Sequence, residues 1–261
     1  MNEFLNLLQF LTRITVSKNL KYNNNMSDAI KYFPVVGMVI GTIISIIFLF
    51  SSWLPKFYEI HILLATIIVM AEAIITGGLH IDGFGDTFDG LFSYRSKEKM
   101  LEIMKDPTMG TNGILAIVFL IIFKIIALDI LLKRNVFWVL FTMPAVARFA
   151  PVVMSYKAIS ARKNGMGELF IGKCSSKNLF IAFIFAFISV VLPSFIYYRN
   201  IKISFIYSIS TFLILIYAIS FRSSVYKKID GITGDILGCS TEMSEVIFIL
   251  YTLIVNQFII A

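Results

Sequence analysis

Residues 113–132 read GILAIVFLIIFKIIALDILL, a stretch in which only Lys124 and Asp129 are charged. A bilayer core is crossed by a helix of about 20 apolar residues, so this stretch predicts a transmembrane helix. The whole chain has the same character, because 58% of its 261 residues are hydrophobic and only 15% are charged. Soluble domains carry about 25% charged residues. The composition therefore predicts an integral membrane protein and excludes a disordered chain, a coiled coil or a disulfide-built secreted fold.

Six further stretches have a similar length and composition. Together they predict an all-α, polytopic membrane helix bundle of about seven transmembrane helices, forming one integral membrane domain over residues 1–261. The segment Met1–Val16 carries apolar residues at helical spacing, which predicts an N-terminal amphipathic helix on the membrane surface or capping the bundle. The predicted spans are 34–54, 60–79, 113–132, 135–155, 178–198, 203–221 and 243–260.

Basic residues alternate between high and low counts along the loops that these spans define. The segment before the first span and every second loop after it carry 4, 4, 5 and 3 Lys plus Arg, whereas the other loops carry 1, 2 and 2. Because basic loops stay inside, the N-terminus is predicted to be cytoplasmic, and loops 80–112, 156–177 and 222–242 share the cytoplasmic face. The excess of basic residues behind the net charge of +7 is thus explained by the cytoplasmic loops, and no nucleic-acid partner is expected.

Four of the 16 acidic residues, Glu72, Asp82, Asp86 and Asp89, lie close together at the end of the second predicted span. The three aspartates are spaced i, i+4, i+7, so on a helix they share one face. Hard oxygen ligands on a single face are what Mg²⁺ or Mn²⁺ requires, and such ions commonly bridge to substrate phosphates. A solvated acidic helix face is the alternative, disfavoured by the intramembrane Glu72. The histidine of the same block, His80, is a candidate proton carrier or phosphate donor.

Glycines interrupt the same block. The adjacent Gly77 and Gly78 predict the end of the second span, because glycine is unfavourable inside a helix. The spaced Gly83, Gly85 and Gly90 suit a second role, in which backbone N–H groups approach an anion. This pattern predicts a phosphate-binding segment beside the carboxylates.

Ionisable residues within spans usually face a cavity or a partner. Glu72 and Arg148 each lie about 10 Å from the cytoplasmic end of their predicted spans, so a pair between them is feasible. Lys124 and Asp129 are five residues apart, about 140° around a helix, and need not meet. We interpret Glu245 as a favourable partner of a helix dipole at the start of the last span.

Two motifs in the block, TGGLHIDGFGDTFDG (76–90) and EIMKDPTMGTNGILA (102–116), resemble the signature of the cobalamin synthase family, the adenosylcobinamide-GDP ribazoletransferases. The similarity continues through FLTRI (10–14), YFPVVG (32–37), ARFAP (147–151), GMGELF (165–170) and GITGDILG (231–238). The chain departs from the family at Thr15, where Pro is frequent, and at Phe84-Gly85, where Leu-Ala is frequent, and neither change touches a chemical group.

The resemblance implies a multi-pass enzyme of the cell inner membrane, with its active site on the cytoplasmic face. Such an enzyme joins adenosylcobinamide-GDP to α-ribazole or its 5′-phosphate and releases GMP in vitamin B12 biosynthesis, with Mg²⁺ required. Membrane lipid and other cobalamin-assembly enzymes are the further partners that it implies.

The motifs and the resemblance together define the candidate site residues. Predicted catalytic residues are Asp82, Asp86, Asp89 and His80, and predicted Mg²⁺ ligands are Glu72, Asp82, Asp86 and Asp89. Predicted substrate-binding residues are Gly78, Gly83, Lys105, Asp106, Arg148, Arg162, Lys163, Gly167 and Asp235.

Three alternative functions share parts of this pattern. A CDP-alcohol phosphotransferase has a similar acidic helix, but here Gly90 is followed by Leu91-Phe92 in place of that family's pattern. A prenyltransferase carries two separated aspartate motifs, and one cluster is found here. A transporter would line a pathway with its buried charges and show internal repeats of helices, which the sequence lacks.

Overall fold

The computed structural model describes residues 2–16, 26–51, 60–162 and 165–260, and over these ranges the chain is helical without β-strands. The helices are α1 (Asn2–Leu11), α2 (Phe33–Ser51), α3 (His61–Thr76), α4 (Leu79–Leu91), α5 (Lys97–Ile103), α6 (Thr111–Lys133), α7 (Val139–Ala147), α8 (Phe149–Ser155), α9 (Ser176–Tyr198), α10 (Ile201–Ile229) and α11 (Gly234–Ile260). Short 3₁₀ helices at Met26–Tyr32 and Met166–Leu169 complete the chain order.

Five helical segments in the described ranges are long and apolar enough to cross a membrane, and α3 with α4 forms a sixth, sharply bent candidate. Their outward faces carry large exposed apolar side chains such as Phe50, Phe119 and Ile216, which suit contact with lipid. The predicted polytopic helix bundle is therefore confirmed. The five segments are Met26–Ser51, Thr111–Lys133, Ser176–Tyr198, Ile201–Ile229 and Gly234–Ile259.

The predicted span 135–155 is corrected by the structure. Its helical part is the short pair α7 and α8, Val139–Ser155, which breaks at Arg148. Every residue of the pair is buried except the half-buried Phe141. Because a helix in the middle of a bundle is as apolar as one that faces lipid, hydropathy alone assigns both to the membrane. This pair is the core around which the longer helices pack.

The predicted span 60–79 is also shorter than expected, because α3 ends at Thr76 and α4 leaves it at an angle of 90°. Gly77 and Gly78 form the corner with φ angles of 64° and 74°. Glycine adopts this left-handed region without steric cost, because it has no Cβ. The prediction that the paired glycines end the span is confirmed.

The remaining boundaries move by several residues. The last helix begins at Gly234, well before the predicted 243, and α10 continues past 221 to Ile229. The end of the first predicted span, residues 52–54, lies outside the described residues. The N-terminal segment is a helix as predicted, and its buried Leu7, Leu8 and Leu11 show that it packs onto the bundle.

The close approach of α2 and α7 depends on two glycines one turn apart. A Cβ on Gly37 would lie within 2.5 Å of Ala145 Cα, and a Cβ on Gly41 would fall within 2.8 Å of Phe141 Cα. Small residues at this spacing let transmembrane helices pack backbone to backbone. The contact brings the backbone of α7 directly against α2.

Candidate active site

The segments 80–112, 156–177 and 222–242, which were predicted to share one face, meet at one end of the bundle. The Ala161 N–H donates to the carbonyl of Ile232 at 2.9 Å, and the Ile232 N–H donates to the carbonyl of Ile159 at the same distance. The ammonium of Lys228 donates to the carbonyl of Leu91 at the end of α4, at 2.7 Å. Segments that are far apart in the sequence therefore form one wall.

A cavity of about 200 Å³ opens within this wall. An ion pair crosses it, with Arg162 Nη1 at 2.9 Å from Asp235 Oδ2, and the Thr233 hydroxyl donates to the same carboxylate oxygen at 3.2 Å. Two further guanidinium nitrogens of Arg162, Nε and Nη2, are buried without a hydrogen-bond partner among the described residues. Such nitrogens can donate to phosphate oxygens, so the cavity suits an anionic substrate.

The predicted acidic block divides into two parts. Asp82 and Asp86 lie one turn apart on α4, where Asp86 interacts electrostatically with Asp82, Asp235 and Arg162. Asp82 lines the cavity together with Asp235. Carboxylates from two helices and one guanidinium therefore share a small volume.

Asp89 has a different environment at the far end of α4. Its carboxylate accepts hydrogen bonds from the N–H groups of Gly110 at 2.6 Å and Gly113 at 2.8 Å. These N–H groups lie at the beginning of α6, so Asp89 neutralises a helix N-terminus. This bonding gives Asp89 a structural task that its sequence spacing did not indicate.

Glu72 lies in a buried charge cluster, which we define as Glu72, Lys124, Arg148, Glu242 and Glu245. Lys124 Nζ is 2.9 Å from Glu72 Oε2 and 3.2 Å from Glu242 Oε2, and it also pairs with Glu245. All five side chains are at most 5% exposed. The 90° corner after α3 separates Glu72 from the aspartates, so the structure does not bring the four predicted Mg²⁺ ligands together.

For two buried charged residues, Glu72 and Glu245, the structure shows other partners than the sequence predicted. Glu72 binds Lys124 and not Arg148, whose guanidinium is 3.8 Å from Glu245 and donates to the carbonyl of Pro144 at 2.8 Å. Glu245 is not at a helix start, because α11 begins at Gly234, about three turns earlier. Its position inside an apolar span was the signal that could have identified it.

His80 lies between the buried charge cluster and the cavity. It is 6% exposed, lines the cavity, and its Nδ1 is 3.4 Å from Arg148 Nη2. Arginine can only donate, so this contact requires an unprotonated Nδ1 and leaves the proton on Nε2. The imidazole is thereby prepared as a hydrogen-bond donor.

The other predicted binding residues divide between the cavity and the exterior. Gly167 lines the cavity, and Arg148 lies 1% exposed beneath it. Lys105 and Asp106 are exposed and do not line the cavity, and hydrogen bonds from Thr108 lower the pKa of the Asp106 carboxyl. Lys163 lies outside the described residues.

The spaced glycines of α4 lie at close helix contacts, and their predicted anion-binding role stays a prediction. A Cβ on Gly83 would lie 2.8 Å from the Asp235 carbonyl oxygen and 3.0 Å from its Cα. A Cβ on Gly90 would overlap the Met104 side chain. Gly83 therefore sets the distance between α4 and α11, and with it the distance between the carboxylates of Asp82 and Asp235.

We expect Gly83→Ala to lower turnover more than Gly85→Ala does. The methyl group at Gly83 meets backbone and must push α4 from α11, at a cost of about 1–3 kcal/mol. At Gly85 on the same helix it meets the ends of the Met109 and Ile117 side chains, which can move. Turnover and thermal melting of the two purified variants check this, and equal losses would contradict it.

The fold and the site define a multi-pass membrane protein with an acidic, arginine-containing cavity at one end of its helices. Residues 3–253 match the profile of the cobalamin-5-phosphate synthase family. The chain therefore belongs to this family.

Relatives with curated names match over almost the full length. A protein of Clostridioides difficile (strain 630), named adenosylcobinamide-GDP ribazoletransferase, is 41% identical over 96% of both chains. Proteins of the same name from Alkaliphilus metalliredigens (strain QYMF) and Fusobacterium nucleatum are 40% identical over 98% of this chain and 96% of theirs, and 35% identical over the whole of both. No solved structure matches the chain.

Proposed function

We propose that this protein is an adenosylcobinamide-GDP ribazoletransferase that acts in vitamin B12 biosynthesis. It transfers the adenosylcobinamide phosphate moiety of adenosylcobinamide-GDP to α-ribazole or its 5′-phosphate and releases GMP. The observation that carries the proposal is the joint placement of Asp82, Asp235 and Arg162 around one cavity, in a chain that matches enzymes of this name over its whole length.

The reaction is a displacement at phosphorus. A hydroxyl oxygen of α-ribazole forms a bond to the phosphorus that bears cobinamide, and the bond from this phosphorus to the bridging oxygen breaks. GMP leaves with the electron pair, and the hydroxyl proton passes to a base. Asp82 lines the cavity and Asp86 follows it one turn along α4, and we assign these two carboxylates to accept that proton. Because Arg148 occupies Nδ1 of His80, we assign His80 to donate its Nε2 proton to a substrate oxygen.

Charge is the main obstacle to this reaction, since the diphosphate and the leaving GMP are both anionic. The buried guanidinium nitrogens of Arg162 can donate to phosphate oxygens where they face the cavity. Such preorganised donors favour the state in which negative charge develops on the leaving group. Arg162 is in turn held in place by Asp235.

We propose Mg²⁺ as the cofactor. Within the described residues no three His, Cys, Asp or Glu side chains are grouped to hold a metal ion by themselves. Mg²⁺ usually binds through one or two carboxylates and completes its shell with waters and substrate phosphates. Asp82 and Asp86, with Asp235 facing them, fit that mode, whereas Glu72 and Asp89 are already bonded elsewhere. When bound, the ion neutralises charge on the phosphate oxygens.

The direct test uses membranes that contain the protein. They are incubated with adenosylcobinamide-GDP, α-ribazole and Mg²⁺, and GMP and the cobalamin product are measured. Formation of both in equal amounts is expected. Correctly inserted protein that forms neither product would refute the proposed reaction. Replacing α-ribazole by its 5′-phosphate in a parallel reaction compares the two acceptors.

We further propose that the cavity faces the cytoplasm, as the basic loops around it favour. Single cysteines introduced at the exposed positions 95 and 200 are expected to be labelled from inside and outside, respectively. The two native cysteines are buried, and burial raises the pKa of the Cys174 thiol to about 11, so both should stay unlabelled at neutral pH. Labelling with a membrane-impermeant maleimide, before and after permeabilisation, measures this. The opposite pattern would place the cavity outside.

A further inference from the structure

A second cavity also reaches Asp82. It measures about 550 Å³ and shares only Phe10, Leu79 and Asp82 with the first cavity. Its remaining wall combines residues around Arg13 with the corner between α3 and α4. One carboxylate of the proposed reaction centre is therefore reached from two separate spaces.

The two cavities differ in chemistry. The first contains an aromatic group, in which Phe170 packs edge-on against Phe10 at 5.6 Å and Phe33 at 5.1 Å between ring centroids. Aromatic side chains of this kind bind flat heterocycles through their faces and edges. The first cavity also carries polar side chains, among them Arg162 and Asp235.

Polar and apolar side chains together line the second cavity, and Arg13 is the cation among them. The Arg13 N–H donates to the Ile75 carbonyl at 2.7 Å, which fixes the backbone against the end of α3. Its guanidinium crosses Gly77, where an added Cβ would lie 2.2 Å from Nε. The side chain forms no ion pair with any of the described residues. Gly77 therefore makes room for the Arg13 guanidinium, which is free to bind an anion.

From these contacts we infer that the two substrates enter different cavities that meet at Asp82. The aromatic base of the acceptor occupies the first cavity against Phe33 and Phe170, and the diphosphate of the donor extends from the second cavity, against Arg13, past Asp82 toward Arg162. The corrinoid of the donor is far larger than either cavity and stays outside, so only its diphosphate arm needs to enter. The second cavity is the larger of the two and has room for this arm. The phosphorus then lies beside Asp82, where the acceptor hydroxyl can reach it. This assignment rests on the proposed function.

The assignment separates the effects of two substitutions. Loss of the guanidinium in Arg13→Ala removes charge-assisted hydrogen bonds, which are worth about 1.5–3 kcal/mol, so KM for adenosylcobinamide-GDP should rise about 10–100-fold. Loss of the ring in Phe170→Leu removes aromatic contacts of about 0.5–1.5 kcal/mol, so KM for α-ribazole should rise about 2–10-fold. Each variant should leave the KM of the other substrate within twofold. Arg95→Ala, an exposed cation at the same end that lines neither cavity, is the matched control.

Binding of substrate fragments gives a readout that does not require turnover. Equilibrium dialysis of GMP in the presence of Mg²⁺, and separately of α-ribazole, should show weaker GMP binding for Arg13→Ala and weaker α-ribazole binding for Phe170→Leu. Arg13→Lys, which keeps the charge, should recover part of the GMP binding, and thermal melting identifies any variant that fails to fold. Unchanged GMP binding in a folded Arg13→Ala protein, or the reverse pattern of the two variants, would overturn the inference. Failure of the wild-type protein to form products would instead refute the proposed reaction, whatever the binding results.

Discussion

Replacement of Lys124 by methionine is expected to destabilise the protein by about 3–5 kcal/mol, the largest loss from any single substitution considered for this fold. Lys124 contacts three glutamates from two other helices and is 3% exposed. Removing one partner of a buried ion pair leaves its counter-charges without compensation in a medium that solvates them poorly. With Lys124 absent, Arg148 alone must balance Glu72, Glu242 and Glu245.

A matched control lies on the same helix. Lys133 also pairs with a carboxylate, Asp129 at 2.6 Å, but its side chain is 58% exposed. Asp129 is only 10% exposed, but Lys133 itself reaches solvent, so Lys133→Met should cost clearly less than Lys124→Met. Thermal melting of both purified variants in the same detergent measures the difference. Similar melting temperatures for Lys124→Met and Lys133→Met would contradict a stabilising role of the buried charge cluster.

A double variant tests whether charge is the cause of the loss. In Lys124→Met/Glu245→Gln one uncompensated carboxylate has been neutralised, so the double variant should melt above Lys124→Met. The coupling between neighbouring sites in such a cycle is commonly 0.5–3 kcal/mol. If the double variant is no more stable than Lys124→Met, the loss arises from packing around the lysine side chain and not from charge.

The sequence identified most helices but not how they are arranged. Hydropathy located α6 and α9 to within two residues, because long apolar segments between polar ends have few alternatives in a bilayer. It treated Val139–Ser155 as a further span, since hydropathy measures composition and does not distinguish a lipid-facing helix from one enclosed by other helices. Arg148 lies at the break, and its buried partners Glu245 and His80 come from distant parts of the chain.

The candidate site was predicted through local spacing, and local spacing explains both the success and the error. Asp82 and Asp86 are one turn apart, so the helix alone places them on one face. The same reasoning grouped Glu72 with them, because the 90° turn at Gly77 and Gly78 is not visible in spacing alone. The pair Arg162–Asp235 joins loops 73 positions apart and becomes recognisable only when α4, the loop and α11 are packed together.

The second large effect is expected on turnover. Asp86→Asn and Asp82→Asn should each lower kcat/KM by at least about 10²–10³-fold while melting like the wild-type protein. The substitution keeps the size of the side chain but removes the charge that holds Mg²⁺ and accepts the hydroxyl proton, and losses of one electrostatic catalytic group typically have this magnitude. Asp82 is exposed and Asp86 is half-buried, so neutralising either side chain leaves little buried charge uncompensated.

Asp230→Asn is the matched control for this pair. Asp230 lies at the same end, is exposed, pairs with Lys97 at 2.7 Å and has a φ of 54°, a conformation that asparagine tolerates well. Its turnover should therefore stay within about twofold of wild type. Initial rates of GMP release over a range of substrate concentrations give kcat/KM for the three variants and the wild-type protein.

The dependence on Mg²⁺ separates the two roles of the carboxylates. If Asp82 and Asp86 hold the ion, each asparagine variant should require a higher Mg²⁺ concentration for half-maximal rate and recover part of its activity when Mg²⁺ is raised. If a carboxylate acts only as the base, its variant should keep the wild-type Mg²⁺ dependence with a lower maximal rate. Full activity of Asp86→Asn at low Mg²⁺ would remove Asp86 from the site, and the same result for Asp82→Asn would also remove the residue on which the binding of the two substrates from different cavities depends.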